Sequence, residues 1–301
     1  MKININSKTR ESVWGGGNQF LKALRVEIIN AGFYAESLND ADAVLFNGYQ
    51  EILSLIKFWF IRGNRKIIYR LGPVMSLHRK AFKWKIVDYV MVWIANLLAD
   101  AVIFQSKWSY MEALKFGFSK KKKYAVVLNA VDDSIFYPKE FKEKLHGEKI
   151  KLIYISWSTN EKKGFQYLKF LDENLDFHKY EMTFVGNSPF KFKNIKMVEA
   201  MPSQKLSLEL RKNDIFISPV KDDACSNALI EALASGLPAV CLKSGGNPEI
   251  VGLAGELFTD KLELIPAIEN VSENLSFYRN NISIKSLKDV ALEYLSVARS
   301  L

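Results

Sequence analysis

Residues 222–249 contain the side chains of this chain that are best placed to do chemistry. Asp223 and Glu231 stand eight positions apart, with Ser226 and Asn227 between them. Ser and Asn are good helix N-caps, so we predict that a helix begins near Ser226. The start of a helix presents N–H groups that attract an anion such as a phosphate, and Glu231 lies further along, where it can reach hydroxyl groups. An ordinary strand–helix unit with surface acids also fits this spacing.

The elements that must position these residues follow from helix and turn signals. Gly236 is placed to end the predicted helix, and Pro238 prevents its continuation. Residues 238–242 then predict a short buried strand, which a turn over residues 244–249 follows. Two adjacent glycines in that turn let a backbone approach a ligand where a side chain would collide.

Strands alternate with helices along the rest of the chain, which predicts an α/β protein with parallel sheets covered on both faces. In the first half, the predicted strands cover residues 2–6, 43–46, 66–69, 102–105 and 124–128, and the helices residues 19–30, 49–62, 86–99 and 109–117. In the second half, the predicted strands cover residues 150–156, 181–185, 195–198 and 215–219, and the helices residues 164–175, 203–211 and 272–301. A polar linker over residues 129–147 separates the two halves of the chain.

Residues 223–249 resemble the donor-site signature of the retaining glycosyltransferases of family 4, although Asp223 stands where that family usually has glutamate. Other stretches of the chain also resemble motifs of that family, and they occur in the family's order before residue 223: Gly15-Gly16-Gly17, Gln105-Ser106, Asn129-Ala130-Val131-Asp132 with Phe136 and Pro138, and Lys162-Lys163-Gly164. The resemblance implies the GT-B fold, in which two Rossmann-like domains have parallel sheets that face across a cleft. We expect an N-terminal acceptor domain over residues 1–140, joined by a C-terminal helix over about 275–301, and a nucleotide-sugar donor domain over residues 148–272.

The resemblance also implies roles for single residues. Glu231 corresponds to the acid that holds the nucleotide ribose, Asp223 would contact the donor sugar, and Lys163 corresponds to the phosphate-binding lysine before a glycine. Many members have an arginine five positions before that lysine, where this chain has Ser158. We expect the catalytic residues to be Asp223, Glu231, Lys163 and Arg70. The expected donor-binding residues are Gly16, Gly17, Ser158, Lys162, Cys225, Ser226, Asn227 and Leu229.

Two of these assignments have a structural alternative. Arg70 occupies the place where many family members have a histidine, and it can either supply positive charge near the transferred group or serve the structure. Lys162 can equally be a solvated charge. By family analogy the reaction needs no metal and no cofactor, because the nucleotide sugar, for example a UDP- or GDP-sugar, is the substrate.

The positive charge of the chain lies in its first half. Residues 1–138 contain 20 Lys and Arg against 11 Asp and Glu, so they carry the whole formal charge of +9. Within residues 57–66 and 79–85 cations interleave with aromatics, a mixture that suits an anionic membrane surface. A solvated helix face with some aromatics in the core is the alternative. No nucleic-acid-binding motif accompanies the charge, so we expect peripheral membrane contact and no nucleic-acid partner.

Composition and segment lengths indicate the class of protein. With 49% hydrophobic and 25% charged residues, the chain is typical of globular proteins. Two cysteines among 301 residues make neither a disulfide framework nor a metal motif. The N-terminus has no signal-peptide pattern, and the apolar run over residues 86–98 is shorter than the ~20 residues that span a bilayer. We expect a cytoplasmic protein, free or at the inner face of the cell membrane.

The leading hypothesis is therefore a retaining glycosyltransferase that moves a sugar from a nucleotide sugar to a glycan or lipid-linked saccharide in cell-surface polysaccharide or glycoconjugate synthesis. A nucleotide-sugar epimerase of the same fold is one alternative, although we identify no acid and base residues for it. A non-catalytic basic protein that binds membrane or nucleic acid is the other, and it leaves the donor signature unexplained.

Overall fold

The computed structural model describes residues 1–6, 16–79, 81–138, 140 and 147–301. They form two compact units, each built on a parallel sheet. The first unit comprises the first strand, Gly17–Ala130 and Lys285–Leu301, and the second is built on Val131–Ile284. The chain passes between the units after Ala130, at the start of the predicted linker.

The first unit has five strands and six α-helices among its described residues. The strands are β1 (Ile3–Asn6), β2 (Ala43–Asn47), β3 (Lys66–Arg70), β4 (Ala101–Phe104) and β5 (Tyr124–Val126). The helices are α1 (Gly16–Asn30), α2 (Ile52–Ile61), α3 (Met75–His78), α4 (Lys83–Leu98), α5 (Lys107–Lys115) and, from the end of the chain, α12 (Leu287–Arg299). Each strand predicted for this half is confirmed to within three residues at either end.

The first sheet is covered on both faces, because its central strands β2, β3 and β4 bury consecutive apolar side chains. Successive strand residues point to opposite faces. Phe46 and Phe104 enter the core that α2, α4 and α5 cover, while Leu45 and Ile103 enter the core that α1 and α12 cover. The strand order is β1-β2-β3-β4-β5, and residues 33–35 run parallel to the free edge of β1.

The second unit forms a six-stranded parallel sheet. Its strands are β6 (Ile150–Ser156), β7 (Tyr180–Gly186), β8 (Lys196–Val198), β9 (Ile215–Ser218), β10 (Ala239–Leu242) and β11 (Gly255–Phe258). Its helices are α6 (Phe165–Asn174), α7 (Ser203–Leu210), α8 (Asn227–Ala234), α9 (Asn247–Val251), α10 (Lys261–Glu273) and α11 (Leu275–Asn280). The sheet order is β11-β10-β9-β6-β7-β8. The first strand, β6, lies in the middle; β7 and β8 are added on one side of it, and β9, β10 and β11 on the other. The strand order therefore switches sides between β6 and β9. In open α/β sheets ligands bind at such a point, outside the carboxyl ends of the strands.

The C-terminal third differs from the prediction in three places. The predicted turn over residues 244–249 contains the start of α9, and β11 and most of α10 were not predicted. The predicted helix over residues 272–301 is interrupted, since α11 ends at Asn280 and α12 begins at Leu287. Residues 275–284, expected to join the first domain, belong to the second unit, where the buried Tyr278 hydroxyl donates to the Glu256 carboxylate.

Candidate functional site

A cavity of about 260 Å³ opens in the second unit between the loop after β6, the loop after β9 and the start of α8. This is the point at which the strand order of the sheet reverses. Its lining consists of Ile155, Ser156, Trp157, Ser158, Lys163, Asp223, Cys225, Ser226, Asn227, Ala228 and Glu231. Seven of the twelve predicted site residues, from separate parts of the sequence, therefore surround one space.

Helix α8 brings its first turn and Glu231 to this cavity. The Ser226 side chain is the predicted N-cap and accepts a hydrogen bond from the Leu229 N–H at 3.4 Å. Asn227 and Glu231 are four positions apart, so they lie on the same face of the helix. That face lines the cavity, while Leu229, Ile230, Ala232 and Leu233 are buried on the opposite side.

The Glu231 carboxyl group is set in a desolvated place. Burial raises its pKa from an ordinary value of 4.5 to about 8, because the charged form loses its hydration. Glu231 is therefore mainly protonated at neutral pH, and its carboxyl group can both donate and accept hydrogen bonds.

Lys163 and Asp223 form an ion pair within the lining of the cavity. The Lys163 ammonium lies 3.4 Å from the Asp223 carboxylate. The Tyr154 hydroxyl donates to the Lys163 carbonyl at 2.6 Å, which fixes the lysine backbone from within the core. Gly164 has a φ of +75°, and a Cβ there would lie 2.3 Å from the Pro219 carbonyl oxygen. Only glycine therefore allows the two loops to approach closely enough to bring Lys163 to Asp223.

Lys162 points to a different partner. Its ammonium forms an ion pair with the Asp222 carboxylate, and it does not line the cavity. Asp222 has a φ of +56° and is held there by Ser244, whose hydroxyl accepts from the Asp222 N–H at 3.0 Å. The pair joins the loops after β6 and β9 beside the cavity. The donor contact of Lys162 stays a prediction.

The glycine turn after β10 supports this loop. Gly245 has a φ of +61°, and a Cβ there would lie 2.2 Å from the Asp223 carbonyl oxygen. The Gly246 N–H donates to the same carbonyl at 2.8 Å. The group that approaches these glycines in the structure is the backbone of Asp223. Their predicted role in the approach to a ligand stays a prediction.

Leu229 also differs from its prediction. Its side chain is fully buried in the core and is not part of the cavity lining. Four other predicted donor-binding residues of this unit line the cavity: Ser158, Cys225, Ser226 and Asn227. Cys225 is buried beneath the start of α8.

Residues 149–274 match the family model of the group 1 glycosyl transferases. The chain is also similar to sulfoquinovosyl transferase SQD2 of Arabidopsis thaliana, with 30% identity over 90 residues, which are 26% of this chain and 18% of that protein. Anabaena HepE, solved with UDP-glucose, superposes with a TM-score of 0.75 at 16% identity and with 100% of each chain covered. The lipopolysaccharide outer core galactosyltransferase WaaB superposes with a TM-score of 0.70 at 11% identity, with 100% of this chain and 99% of that chain covered.

The chain has the GT-B glycosyltransferase fold. The two parallel α/β units are those of GT-B proteins, and the family match coincides with the second unit. Among the described residues of this GT-B chain, no His, Cys, Asp and Glu side chains form a group that can hold a metal ion. Likewise, none of its described helices has the length and hydropathy required to cross a bilayer.

Arg70 lies at the carboxyl end of β3 in the first GT-B unit and is buried. Its guanidinium donates to the side-chain oxygens of Asn47 and Asn129, each at 2.6 Å, and to the Tyr294 hydroxyl at 3.1 Å. The same group lies over the ring of Phe20, 5.2 Å from its centre. These contacts tie α1 and α12 to the sheet, so the structural alternative for Arg70 accounts for its observed partners.

Gly16 and Gly17 are the first two residues of α1, rather than part of a glycine loop. A Cβ on Gly17 would meet nothing within 4 Å, so close packing does not require this glycine. Gly15 lies outside the described residues.

Several residues of the site were missed from the sequence. Ser156 and Trp157 line the cavity at the end of β6, and their position at the carboxyl end of a predicted central strand was the available signal. Tyr154 and Asn247 do not line the cavity, but they hydrogen-bond the backbone of loops that do. The buried Asn247 amide donates to the carbonyls of Val220 and Leu242 at 3.0 and 3.1 Å and so holds the loop after β9.

Proposed function

We propose that this GT-B chain is a retaining, metal-independent glycosyltransferase that moves a sugar from a nucleotide-sugar donor to a saccharide or lipid-linked acceptor. The observation that carries the proposal is the convergence of Lys163, Asp223, Glu231 and the start of α8 on one cavity. The cavity lies at the carboxyl ends of β6 and β9, where this class of sheet binds ligands.

The leaving diphosphate gains negative charge as the sugar departs, and two features of the cavity oppose that charge. Lys163 supplies a full positive charge, already held in place by Asp223 and by the hydrogen bond from Tyr154. The first turn of α8 supplies N–H groups and the positive end of the helix dipole. A preorganised donor of this kind contributes about 3–4 kcal/mol to a transition state. Ser158, in place of an arginine, adds no charge to this clamp.

Glu231 is assigned to the nucleotide ribose. A carboxyl group can engage two neighbouring hydroxyls at once, and the desolvated position strengthens such bonds. Asp223, which also lines the cavity, is assigned to the donor sugar. Its side chain also accepts from the Cys225 N–H at 3.2 Å, which fixes its orientation.

A UDP-sugar is the donor favoured here, because HepE, which shares the fold, was solved with UDP-glucose. A GDP-sugar is the alternative to include in any screen. We assign the acceptor to the cell-surface glycans. Two observations support this assignment: WaaB, which shares the fold, is a lipopolysaccharide outer core galactosyltransferase, and the first half of the chain carries its whole net charge of +9. We place the enzyme in the cytoplasm at an anionic membrane surface.

Thermal unfolding against a panel of nucleotide sugars tests the proposal. A ligand at 100 times its dissociation constant stabilises the folded protein by about 2.7 kcal/mol, which raises the melting temperature measurably. We expect one uridine or guanosine diphosphate sugar to do so and single-stranded nucleic acid not to. Stabilisation by nucleic acid alone would favour the basic binding protein instead.

Product analysis separates transfer from epimerisation. Incubation with the nucleotide sugar alone should give no epimerised sugar nucleotide, whereas an epimerase needs no acceptor. With an acceptor present, the anomeric configuration of the product, read by NMR, should equal that of the donor; the inverted configuration would refute the retaining mechanism.

A further inference from the structure

Helix α4 is apolar on two opposite sides. Its inner side packs on the sheet with Met91, Val92, Ile94, Ala95 and Leu98 buried. Its outer side carries an apolar stripe of Ile86, Tyr89, Val90, Trp93 and Leu97, each between 42% and 62% exposed. These positions recur every three to four residues, so they form one continuous line along the helix. A surface helix normally presents polar residues there, so the apolar stripe requires a partner.

Helix α2 extends this apolar surface. It packs beside α4 on the same face of the sheet. Leu53, Phe60 and Ile61 of α2 are 73%, 75% and 67% exposed, and Phe82, immediately before α4, is 75% exposed. The outer sides of two neighbouring helices in the first unit therefore both present large apolar side chains to solvent.

Cations stand at both ends of the apolar stripe. Lys83 and Lys85 are exposed on the first turn of α4. At the other end, the Asn96 side chain accepts from the Ser119 N–H at 3.0 Å, which brings the loop containing the exposed Lys120 and Lys121 to the end of the helix.

The acidic residue of α4 is not part of this surface. Asp88 is buried, and its carboxylate accepts from the N–H groups of Met75 and Ser76 at 2.7 and 2.8 Å. The outer side of α4 is therefore apolar in the middle and positive at the ends.

We propose that α2 and α4 form a membrane-docking surface that lies in the interface of an anionic bilayer, with the apolar stripe among the acyl chains and the flanking lysines on the headgroups. An in-plane helix with aromatic and aliphatic side chains between cations suits that environment. The surface belongs to the first unit alone. The proposal rests on the proposed function in one respect, since a lipid-linked acceptor would be met at the membrane.

A second copy of this chain fits the surface less well. Because both ends of α4 are positive, two such helices packed side by side in either direction would place lysines against lysines. Anionic headgroups, in contrast, complement both ends at once.

Vesicle flotation tests the proposal with the full chain. We expect recovery with vesicles of phosphatidylcholine and phosphatidylglycerol to exceed recovery with phosphatidylcholine alone. Changing Trp93→Ser and Leu97→Ser together should weaken binding about tenfold or more, because two large apolar side chains are no longer buried. The matched control, Leu253→Ser with Leu262→Ser, removes two leucines of the second unit that are each 70% exposed, and it should bind as the wild type does.

A second pair of substitutions tests the electrostatic contribution of the flanking lysines to membrane binding. Changing Lys83→Gln and Lys85→Gln should weaken binding to the anionic vesicles about fivefold per lysine and leave binding to neutral vesicles unchanged. Lys169→Gln, on α6 of the second unit, is the control that should have no effect. Nucleotide binding, measured in every variant, should equal that of the wild type, so a defect of the donor site is distinguished from a defect of docking.

Three results would overturn the proposal. The first is a wild-type protein that does not float with anionic vesicles, and the second is variants of the apolar stripe that float as the wild type does. The third is a concentration-dependent dimer that Trp93→Ser dissociates in the absence of lipid, since that would assign the surface to a second copy of the chain.

Discussion

Glu231 joins two properties that mark a functional carboxyl group. It lines the cavity, and burial raises its pKa to about 8. Strongly shifted groups in a cleft are candidates for function, because a structural role alone rarely requires desolvation of a carboxylate. Its position on α8 could be predicted from the Ser226 cap and the helix period, whereas its burial could not, since that depends on residues brought in by other strands.

The raised pKa of Glu231 predicts a pH dependence of stability. In the unfolded chain the carboxyl ionises near 4.5, while in the folded chain it keeps its proton up to about pH 8. Unfolding within that window releases a proton, so stability falls as the pH rises from about 5 to about 8. We expect Glu231→Gln to remove roughly 2–4 kcal/mol of this decline. Denaturant unfolding of both proteins across that range measures it, and parallel pH profiles would contradict the assigned pKa.

Lys163 should act on the diphosphate rather than on the nucleoside. Changing Lys163→Ala removes the positive charge that lies 3.4 Å from Asp223 in the cavity. We expect the affinity for UDP to fall about tenfold or more and the affinity for uridine to change little, as a charge-assisted bond is worth ~1.5–3 kcal/mol. Titration calorimetry with both ligands measures the difference. Lys169→Ala is the control, and equal losses for UDP and uridine would point to a folding defect.

At the scale of elements, the loops that line the cavity require glycine where two backbone segments approach closely: Gly164 at Pro219, and Gly245 at Asp223. Gly245→Ala places a Cβ 2.2 Å from the Asp223 carbonyl oxygen, so the loop after β9 must move. Gly252 also has a positive φ, of +51°, but a Cβ there meets nothing within 4 Å. Both alanine variants therefore carry the backbone strain of a positive φ, and only Gly245→Ala adds a collision. We expect Gly245→Ala to have the lower melting temperature and weaker nucleotide binding, and equal behaviour of the two variants would refute this role.

A variant of Arg70 distinguishes a structural role of this residue from a catalytic one. Its guanidinium links β2, β3 and α12 through Asn47 and Tyr294. We expect Arg70→Ala to destabilise the first unit by roughly 2–4 kcal/mol, because buried partners are left unsatisfied. Hydrogen exchange of the α12 amides should accelerate, whereas Arg79→Ala, an exposed arginine stacked on Trp84, should leave it unchanged. Loss of activity in Arg70→Ala with unchanged exchange would instead support the predicted catalytic role.

The elements that could be predicted are those with strong local signals. Helix α8 has a serine cap, an apolar face and Gly236 at its end, and β6 is a continuous apolar run whose predicted bounds are those observed. Helix α9 was read as a turn because Asn247 and Pro248 favour turns, although a proline in the first helical turn is also typical of a helix start. The break before α12 was missed because Ser286, its N-cap, follows a stretch without a strong helix stop.

At the scale of the whole molecule, the sequence predicts the two α/β halves but not which strands are neighbours. The adjacency of β6 and β9 brings Lys163 to Asp223, residues 60 positions apart, and it depends on contacts between distant segments. The same limit applies to the exposed side of α4. Periodicity identifies the helix, but only the packed sheet shows which of its two apolar sides is buried.

The uneven charge is also a property of the whole molecule. The net charge of +9 lies entirely in residues 1–138, while the candidate donor cavity lies in the neutral second half. Donor binding and membrane binding should therefore respond differently to salt. We expect increasing ionic strength to weaken binding to anionic vesicles, since the Debye length falls from ~10 Å at 0.1 M to ~3 Å at 1 M. Flotation at several salt concentrations measures this, and salt-independent recovery would contradict an electrostatic contribution.

The most direct test of the donor site is a calorimetric titration of the nucleotide sugar that stabilises the protein most. It compares the wild type with Glu231→Ala and with the control Glu173→Ala, whose carboxylate is 60% exposed and 3.9 Å from Lys169. If Glu231 holds the ribose in this cavity, Glu231→Ala weakens binding about tenfold or more and Glu173→Ala leaves it unchanged. A folded Glu231→Ala protein with wild-type affinity would contradict the assignment of this cavity to the donor.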